Sequence, residues 1–310
     1  MMNILGNLPN RLAAAAPAVY DAAALPEDVF YQRHVLLNKP CLIKGAVRAW
    51  RAARFWHEPG YLASRVGRPA VALYRHSNYL HQELMAKSEQ QVALDDAVLQ
   101  LQANRDGVVS VPSIFFTAGG PFAPLLDDLD EFPFLRQLPD PLISPRHRVF
   151  LYSGAGTAWH YHEADETLMC QIKGSKRVGL LAPLNPAFDR LEPDLMRYRY
   201  LESGACFDAY REHVQPCEVV VEEGDCLYIP PYWWHGVEPT DTRFGITLAQ
   251  CWGSPRHKLA AFQVPIVRRT WIGALLGHRR SARLVLRHGA PALAARLWFR
   301  LSQRRHDGIQ

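Results

Sequence analysis

The sequence predicts a mostly β protein, a double-sheet jelly roll with a helical N-terminal part before it and a helical tail after it. Three observations predict this. Between residues 143 and 255 short apolar segments alternate with turns: "RVFLYSG", "TLMCQIKG", "KRVGLLAP", "CEVVVEEGD", "CLYIPP", "HGVEPT" and "RFGITLAQCWG". Their β-branched and aromatic content, and their Gly, Pro and Asp boundaries, mark antiparallel strands. Seven or more of them suggest two packed sheets. On both sides of this stretch the apolar residues return to helical spacing.

In chain order, residues 1–25 read as a loose Ala/Pro-rich lead. Residues 26–142 form a helical part with one entry strand. Pro26, Glu27 and Asp28 suit a helix start, and the N-K-P punctuation at 38–40 stops that helix before the strand "PCLIKGA". Helical periodicity covers 81–104, and "FAPLLDDLDEFPFL" at 122–135 reads as a second, acidic amphipathic helix. The strand-rich core occupies 143–255, and 256–310 form the basic helical tail.

Hydrophobic content of 48% with 21% charged residues is that of a globular domain. No apolar run is long enough to span a bilayer. The opening residues lack the basic and continuous apolar regions of a secretory signal, so a cytoplasmic location is expected. Cys41, Cys170, Cys206, Cys217, Cys226 and Cys251 show no CxxC pairing and are expected to be reduced thiols. Charge is uneven: from Arg256 onward there are 12 Lys/Arg and a single acid, Asp307. The residues before it carry 23 basic and 29 acidic side chains, so the net +5 of the whole chain describes neither part.

The segment "AWHYHEADETLMCQIKGSKR", 158–177, concentrates His160, His162, Glu163, Asp165 and Glu166 at the mouth of an apolar strand. So many polar groups there are costly unless something binds them. Side chains at i and i+2 of a strand share a face, so His160 and His162 can face one metal. A third ligand is offered by His235, just after "GDCLYIPPYWW". Asp165 fits a solvated turn. Tyr232, Trp233 and Trp234 suit either packing or the wall of a pocket.

These residues carry a resemblance. Gly154, His160, His162, Glu166 and Gly174 fall in G-x5-H-x-H-x3-E-x7-G, and Gly224, Pro230, Tyr232 and His235 in G-x5-P-x-Y-x2-H. The two strings resemble the cupin motifs, with one extra residue in the first and Tyr232 where the second usually has Gly. More specifically, residues 26–255 resemble the JmjC-type, cupin-like iron(II)/2-oxoglutarate oxygenases. The resemblance rests on "NKPCLIKGAVRAW", "TAWHYH", "QIKGSKRVGLLAP", "GDCLYIPPYWWH" and "ITLAQCW". It implies that His160 and His235 bind iron(II), that Lys176 pairs with the C5 carboxylate of the cosubstrate 2-oxoglutarate, and that Thr157 and Gln250 add polar contacts.

The family's middle ligand is an Asp or Glu, and here that position holds His162. Three arrangements stay open: His162 ligates, with or without Glu166; a bulge brings Glu163 in; or the site is degenerate. The activity implied is hydroxylation of a peptide side chain or small metabolite. A metal-dependent cupin acting without 2-oxoglutarate, or an inactive cupin-like binding protein, are the alternatives. The tail, with arginines among Leu, Val, Trp and Phe, is expected to mediate homo-oligomer formation. Contact with an anionic membrane surface is a lesser reading, and no nucleic-acid motif accompanies it.

Overall fold

The protein was analysed as a computed structural model, which describes residues 16–76, 88–135, 138–183, 216–295 and 297–298. The chain enters through β1 (Ala18–Asp21), α1 (Glu27–Phe30), a π-helical turn (Tyr31–Val35) and β2 (Cys41–Lys44). Next come α2 (Arg51–Phe55), α3 (Tyr61–Val66), β3 (Ala70–His76), β4 (Ser88–Ala93), α4 (Leu94–Ala103) and β5 (Val108–Phe115). Eight strands follow: β6 (His147–Ser153), β7 (Thr157–His160), β8 (Asp165–Lys173), β9 (Lys176–Leu181), β10 (Pro216–Val221), β11 (Cys226–Ile229), β12 (Trp234–Pro239) and β13 (Phe244–Gly253).

These eight form the predicted jelly roll. Four pair in the order β11-β8-β13-β6 and four in the order β10-β9-β12-β7, every neighbour antiparallel. The N-terminal strands lengthen the first sheet at both edges, β2 and β1 beyond β11 and β5, β3 and β4 beyond β6, to nine strands.

Strand periodicity sorts the side chains of this major sheet between two cores. Leu168, Cys170 and Ile172 of β8, with Cys226 and Tyr228 of β11, face the N-terminal helices, where Phe30, Trp50, Trp56 and Phe134 pack. The alternate residues Met169, Leu227 and Ile229 face the minor sheet, meeting Val178, Leu180, Cys217, Val221 and Val237. The five described cysteines are buried free thiols.

Several local expectations need correction. The lead contains a strand, because Ala18–Asp21 adds in parallel to Cys41–Lys44. Of the stretch read as helix over 81–104, residues 81–87 lie outside the described residues, Ser88–Ala93 is the strand β4, held by pairing with β3, and Leu94–Ala103 is the helix α4. The acidic segment at 122–135 forms only a 3-10 turn, Ala123–Asp128. There the buried Asp128 carboxylate accepts from Trp56 Nε1 (2.8 Å) and Tyr61 (3.0 Å), so tertiary bonds replace helical ones. Asp165 is not in a solvated turn: it is buried and accepts from the backbone N–H of Leu142, Ile143 and Ser144.

The tail begins with a 3-10 turn (Arg256–Ala260) and continues as α5 (Pro265–Leu275) and α6 (Arg279–Leu284). It is seated on the jelly roll by a buried ion pair, Lys258 Nζ to Glu166 Oε1 at 2.5 Å, with the Tyr228 hydroxyl donating to the other Glu166 oxygen. Burial lowers the Lys258 ammonium from its ordinary range, and Glu166 opposes that shift. Leu259 and Leu284 pack on Ala164 beside the pair. Farther out, Leu275 and Leu276 are 86% and 72% exposed. No helix among the described residues is long and apolar enough to cross a membrane.

Removing one partner of a buried pair strands the other charge, at a cost of about 3–5 kcal/mol. Lys258→Ala is expected to lose that much in denaturant unfolding. The double variant Glu166→Gln/Lys258→Met is expected to recover most of it.

Candidate metal centre

Three imidazoles meet where β7 ends beside the start of β12. His160 is the last residue of β7 and lies opposite His235 in the ladder. His162 follows two residues later, and its carbonyl accepts the Tyr232 N–H at 2.8 Å. That bond ties the first histidine motif to the second. The ligand nitrogens of His160, His162 and His235 all lie within 4.8 Å of one another, and the ring centroids within 5.3 Å.

Hydrogen bonds orient two of the rings. His235 Nδ1 lies 2.9 Å from the Trp233 carbonyl, so it carries the proton and leaves Nε2 as the lone-pair nitrogen. His162 Nδ1 lies 2.8 Å from Thr167 Oγ1. An outer partner on one nitrogen with the other presented inward is how metal-ligating histidines are held. Burial, reinforced by His160 and Arg148, holds the His162 imidazole down to about 3, and burial likewise lowers His235 well below its ordinary value. Both are therefore neutral at physiological pH, the form that binds metal.

Neither glutamate weighed as a ligand joins this cluster. Glu166 shares its face of β8 with Leu168 and Cys170, away from the minor sheet, and both its oxygens are engaged by Tyr228 and Lys258. Glu163, half-buried, stays outside the group. A bulge does occur, but it lies before His160: Val237 pairs with Thr157 and His235 with His160. Its effect is to put Thr157 on the same face as the histidines, where even spacing would not.

Lys176 is buried on the inner face of β9. Its Nζ donates to the Ala155 carbonyl at 2.8 Å and sits 3.3 Å from the centroid of the Tyr152 ring. Burial pulls this ammonium down to about 7. The platform is rigid, since Gln171 Nε2 donates to the Tyr152 hydroxyl (2.7 Å) and Thr247 donates to Gln171 Oε1 (2.9 Å). Gly245 makes room for it, because a Cβ there would lie 2.1 Å from Tyr152 Cζ.

Gln250 is not brought to the histidines. It pairs with Leu168 and with His147, on the face turned toward the helices, and its side chain bonds His147. Of the three aromatics, Tyr232 is buried with φ of +70°, the left-handed conformation that explains why Gly is usual at this motif position. Trp233 Nε1 donates to the Asn38 carbonyl (2.8 Å) while Asn38 Nδ2 donates to Pro231 (3.0 Å), hooking the entry segment to the metal loop. Trp234 is buried and follows the strand alternation away from His235, against Tyr161. The segment 185–215, expected to set specificity, lies outside the described residues.

Sequence reasoning missed Thr167, Tyr152, Arg148 and Asn38. The alternation in "RHRVFLYSG" carries a signal for two of them, since Arg148, Phe150 and Tyr152 fall on one face.

A jelly roll whose two sheets hold a histidine cluster at the end of their shared interior is the architecture of a cupin. Residues 26–255 match the cupin-like domain family, and the chain belongs to it. Among its relatives, Jumonji C domain-containing protein 5 of Drosophila melanogaster is 27% identical over 241 residues, covering 73% of this chain and 58% of that protein. Lysine-specific demethylase JMJ30 of Arabidopsis thaliana is 24% identical over 253 residues, covering 76% of this chain and 54% of that protein. The chain thus spans little more than half the length of these two relatives. A shorter match, 32% over 91 residues, links 28% of this chain to 9% of tRNA wybutosine-synthesizing protein 4 of Aspergillus oryzae.

His160→Ala, His162→Ala and His235→Ala are each expected to abolish tight binding of a divalent metal in calorimetry, with the fold retained by circular dichroism. Glu163→Ala is expected to keep it. Metal loss in Glu163→Ala with retention in His162→Ala would reassign the third ligand.

Proposed function

We propose that this protein is an iron(II)- and 2-oxoglutarate-dependent oxygenase that hydroxylates a peptide side chain or a small metabolite. The observation that carries the reading is the pairing, in one inter-sheet cleft, of three clustered imidazoles with a buried lysine on an aromatic platform. The JmjC relatives support it. The residues present fit a divalent metal, since His235 already commits its Nδ1 proton to a carbonyl and presents the other nitrogen. His160, His162 and His235 would hold the iron, which with 2-oxoglutarate supplies activation of O2 for oxidising a C–H bond.

The chain's own groups do the rest. The Trp233 carbonyl and Thr167 hydroxyl keep two imidazoles oriented. Lys176 receives the far carboxylate of the cosubstrate, with the Tyr152 ring beneath it. Thr157, turned inward by the bulge, offers a hydroxyl on the same face. The closed inter-sheet core beyond Val178 and Val237 excludes water from that end of the cleft. A second reading, a histidine-only cupin acting without 2-oxoglutarate, draws on the lack of a carboxylate in the cluster among the described residues.

The deciding experiment is conversion of 2-oxoglutarate to succinate by protein loaded with iron(II). Succinate formation supports the oxygenase; bound metal without it selects the second reading. Lys176→Ala is expected to weaken 2-oxoglutarate binding about 10- to 100-fold, the worth of a charge-assisted bond, without loss of metal. Proton linkage provides a further check. Lys176 is largely neutral above about 7 and must be charged to pair with a carboxylate. Binding at pH 8 is therefore expected to take up about one proton, and uptake is expected to vanish as pH falls below that value. Calorimetry in buffers of different ionisation enthalpy reads this directly, and Lys176→Arg is expected to abolish the uptake.

The reading includes self-association through the end of α5, where apolar side chains of this extent seldom stand open to water. Leu275→Glu/Leu276→Glu is expected to convert an oligomer to a monomer in light scattering. An unchanged mass would place the contact elsewhere.

A further inference from the structure

The major sheet carries a second cation on its inner face. Register fixes its position: Leu42, Leu227, Met169, Ala249, Arg148 and Phe115 pair in turn across β2, β11, β8, β13, β6 and β5. Leu42, Leu227 and Met169 belong to the core between the two sheets, so Arg148 shares that face. Its ladder partner Ala249 is two residues from Cys251, which pairs with Thr167, the hydrogen-bond partner of His162.

The guanidinium is held as a fixed plane. Its carbon lies 4.6 Å from the centroid of the Phe150 ring and 5.7 Å from that of Phe115, and Nε donates to Ser113 Oγ at 2.8 Å. Arg148 is half-buried and Phe115 is 47% exposed, so this end of the cleft opens to solvent. An arginine whose plane is set in advance is suited to an oxyanion, because the fork loses little freedom on binding.

The cosubstrate does not account for it. Lys176 stands over Tyr152, whereas Arg148 is four residues farther along β6, about 13 Å of extended strand. The two cations mark separate stations in one cleft, Lys176 from the minor sheet and Arg148 from the major sheet. Charge points the same way. A metal on three histidines, with no carboxylate in their cluster among the described residues, keeps its double charge uncompensated by its ligands. A dianionic cosubstrate offsets the metal but not the protonated Lys176 as well, and Arg148 adds a further positive charge at the open end.

We propose that Arg148 is a specificity-determining contact that selects a substrate bearing an acidic group, a carboxylate or a phosphate. This rests on the oxygenase reading for the chemistry, but not for the recognition. The test is calorimetric titration of the full chain, loaded with manganese(II) and 2-oxoglutarate, with three probes. These are N-acetyl-aspartate amide, N-acetyl-O-phosphoserine amide and, as neutral control, N-acetyl-asparagine amide. At least one acidic probe is expected to bind about tenfold or more tightly than the control. Which one does so distinguishes carboxylate from phosphate.

Arg148→Met is expected to remove the preference, Arg148→Lys to keep part of it, and both to bind 2-oxoglutarate as the parent does. Three results would each overturn the proposal: equal binding of the control, an acidic preference that survives in Arg148→Met, or loss of 2-oxoglutarate affinity in its place. If the protein takes up neither metal nor 2-oxoglutarate, the oxygenase reading fails by itself. The same three probes on metal-free protein then decide the role of Arg148, with no acidic preference counting against it.

Discussion

A strand gives alternate side chains to opposite faces, and in the major sheet of this protein those faces meet two different environments. One is the apolar core under the N-terminal helices; the other is the inter-sheet cleft that holds the histidines. Every assignment at the site follows from that sorting. Thr167 and Met169 of β8 reach the cleft, so Thr167 can orient His162. Glu166, one residue earlier, is turned to the far side, where Tyr228 and Lys258 satisfy it. Gln250 on β13 suffers the same fate, because register pairs it with Leu168 rather than with Thr167. A shift of one residue in either strand would exchange these roles.

The cleft itself is built from groups that burial discharges. His162 and His235 are kept neutral by desolvation, and Lys176 is brought close to neutrality near physiological pH. Burying three such groups is tolerable because neither imidazole nor amine must carry charge until a partner arrives. In the proposed reading a metal and a dicarboxylate are the partners that would restore charge, which would link binding to protonation. Arg148 is the exception, permanently charged, and it lies toward solvent with two aromatic faces to accommodate it.

Strain and tethering set the second histidine motif. Tyr232 adopts a left-handed conformation that costs on the order of 1 kcal/mol. Its N–H then reaches the His162 carbonyl, and Trp233 is held by Asn38, itself left-handed at φ of +54°. The entry segment is also clamped by Asp225, which accepts from the Lys44 ammonium (2.6 Å) and the Gly45 N–H (2.9 Å). The helical N-terminal part and the metal loop are therefore one mechanical unit, and the tail joins it through Lys258.

By itself the sequence determined the jelly roll and the three histidines. Eight strands with clear turns leave few ways to pack, and i, i+2 spacing aims His160 and His162 together without reference to anything distant. It also marked Lys176, through the motif that contains it. What it left open were the long-range choices. Whether Glu166 meets a metal or a lysine 92 residues away depends on where the tail folds back. The extra residue before Gly174 kept Glu163 and Glu166 open beside the His162 that i, i+2 spacing favours, and the tertiary structure clusters the three histidines while Tyr228 and Lys258 engage Glu166. The acidic segment at 122–135 has helical periodicity, yet Trp56 and Tyr61 draw Asp128 into the core instead. Local pattern decides which face a side chain takes along its own strand; only the tertiary structure decides what waits on that face, because the waiting groups come from strands and helices far away in the chain.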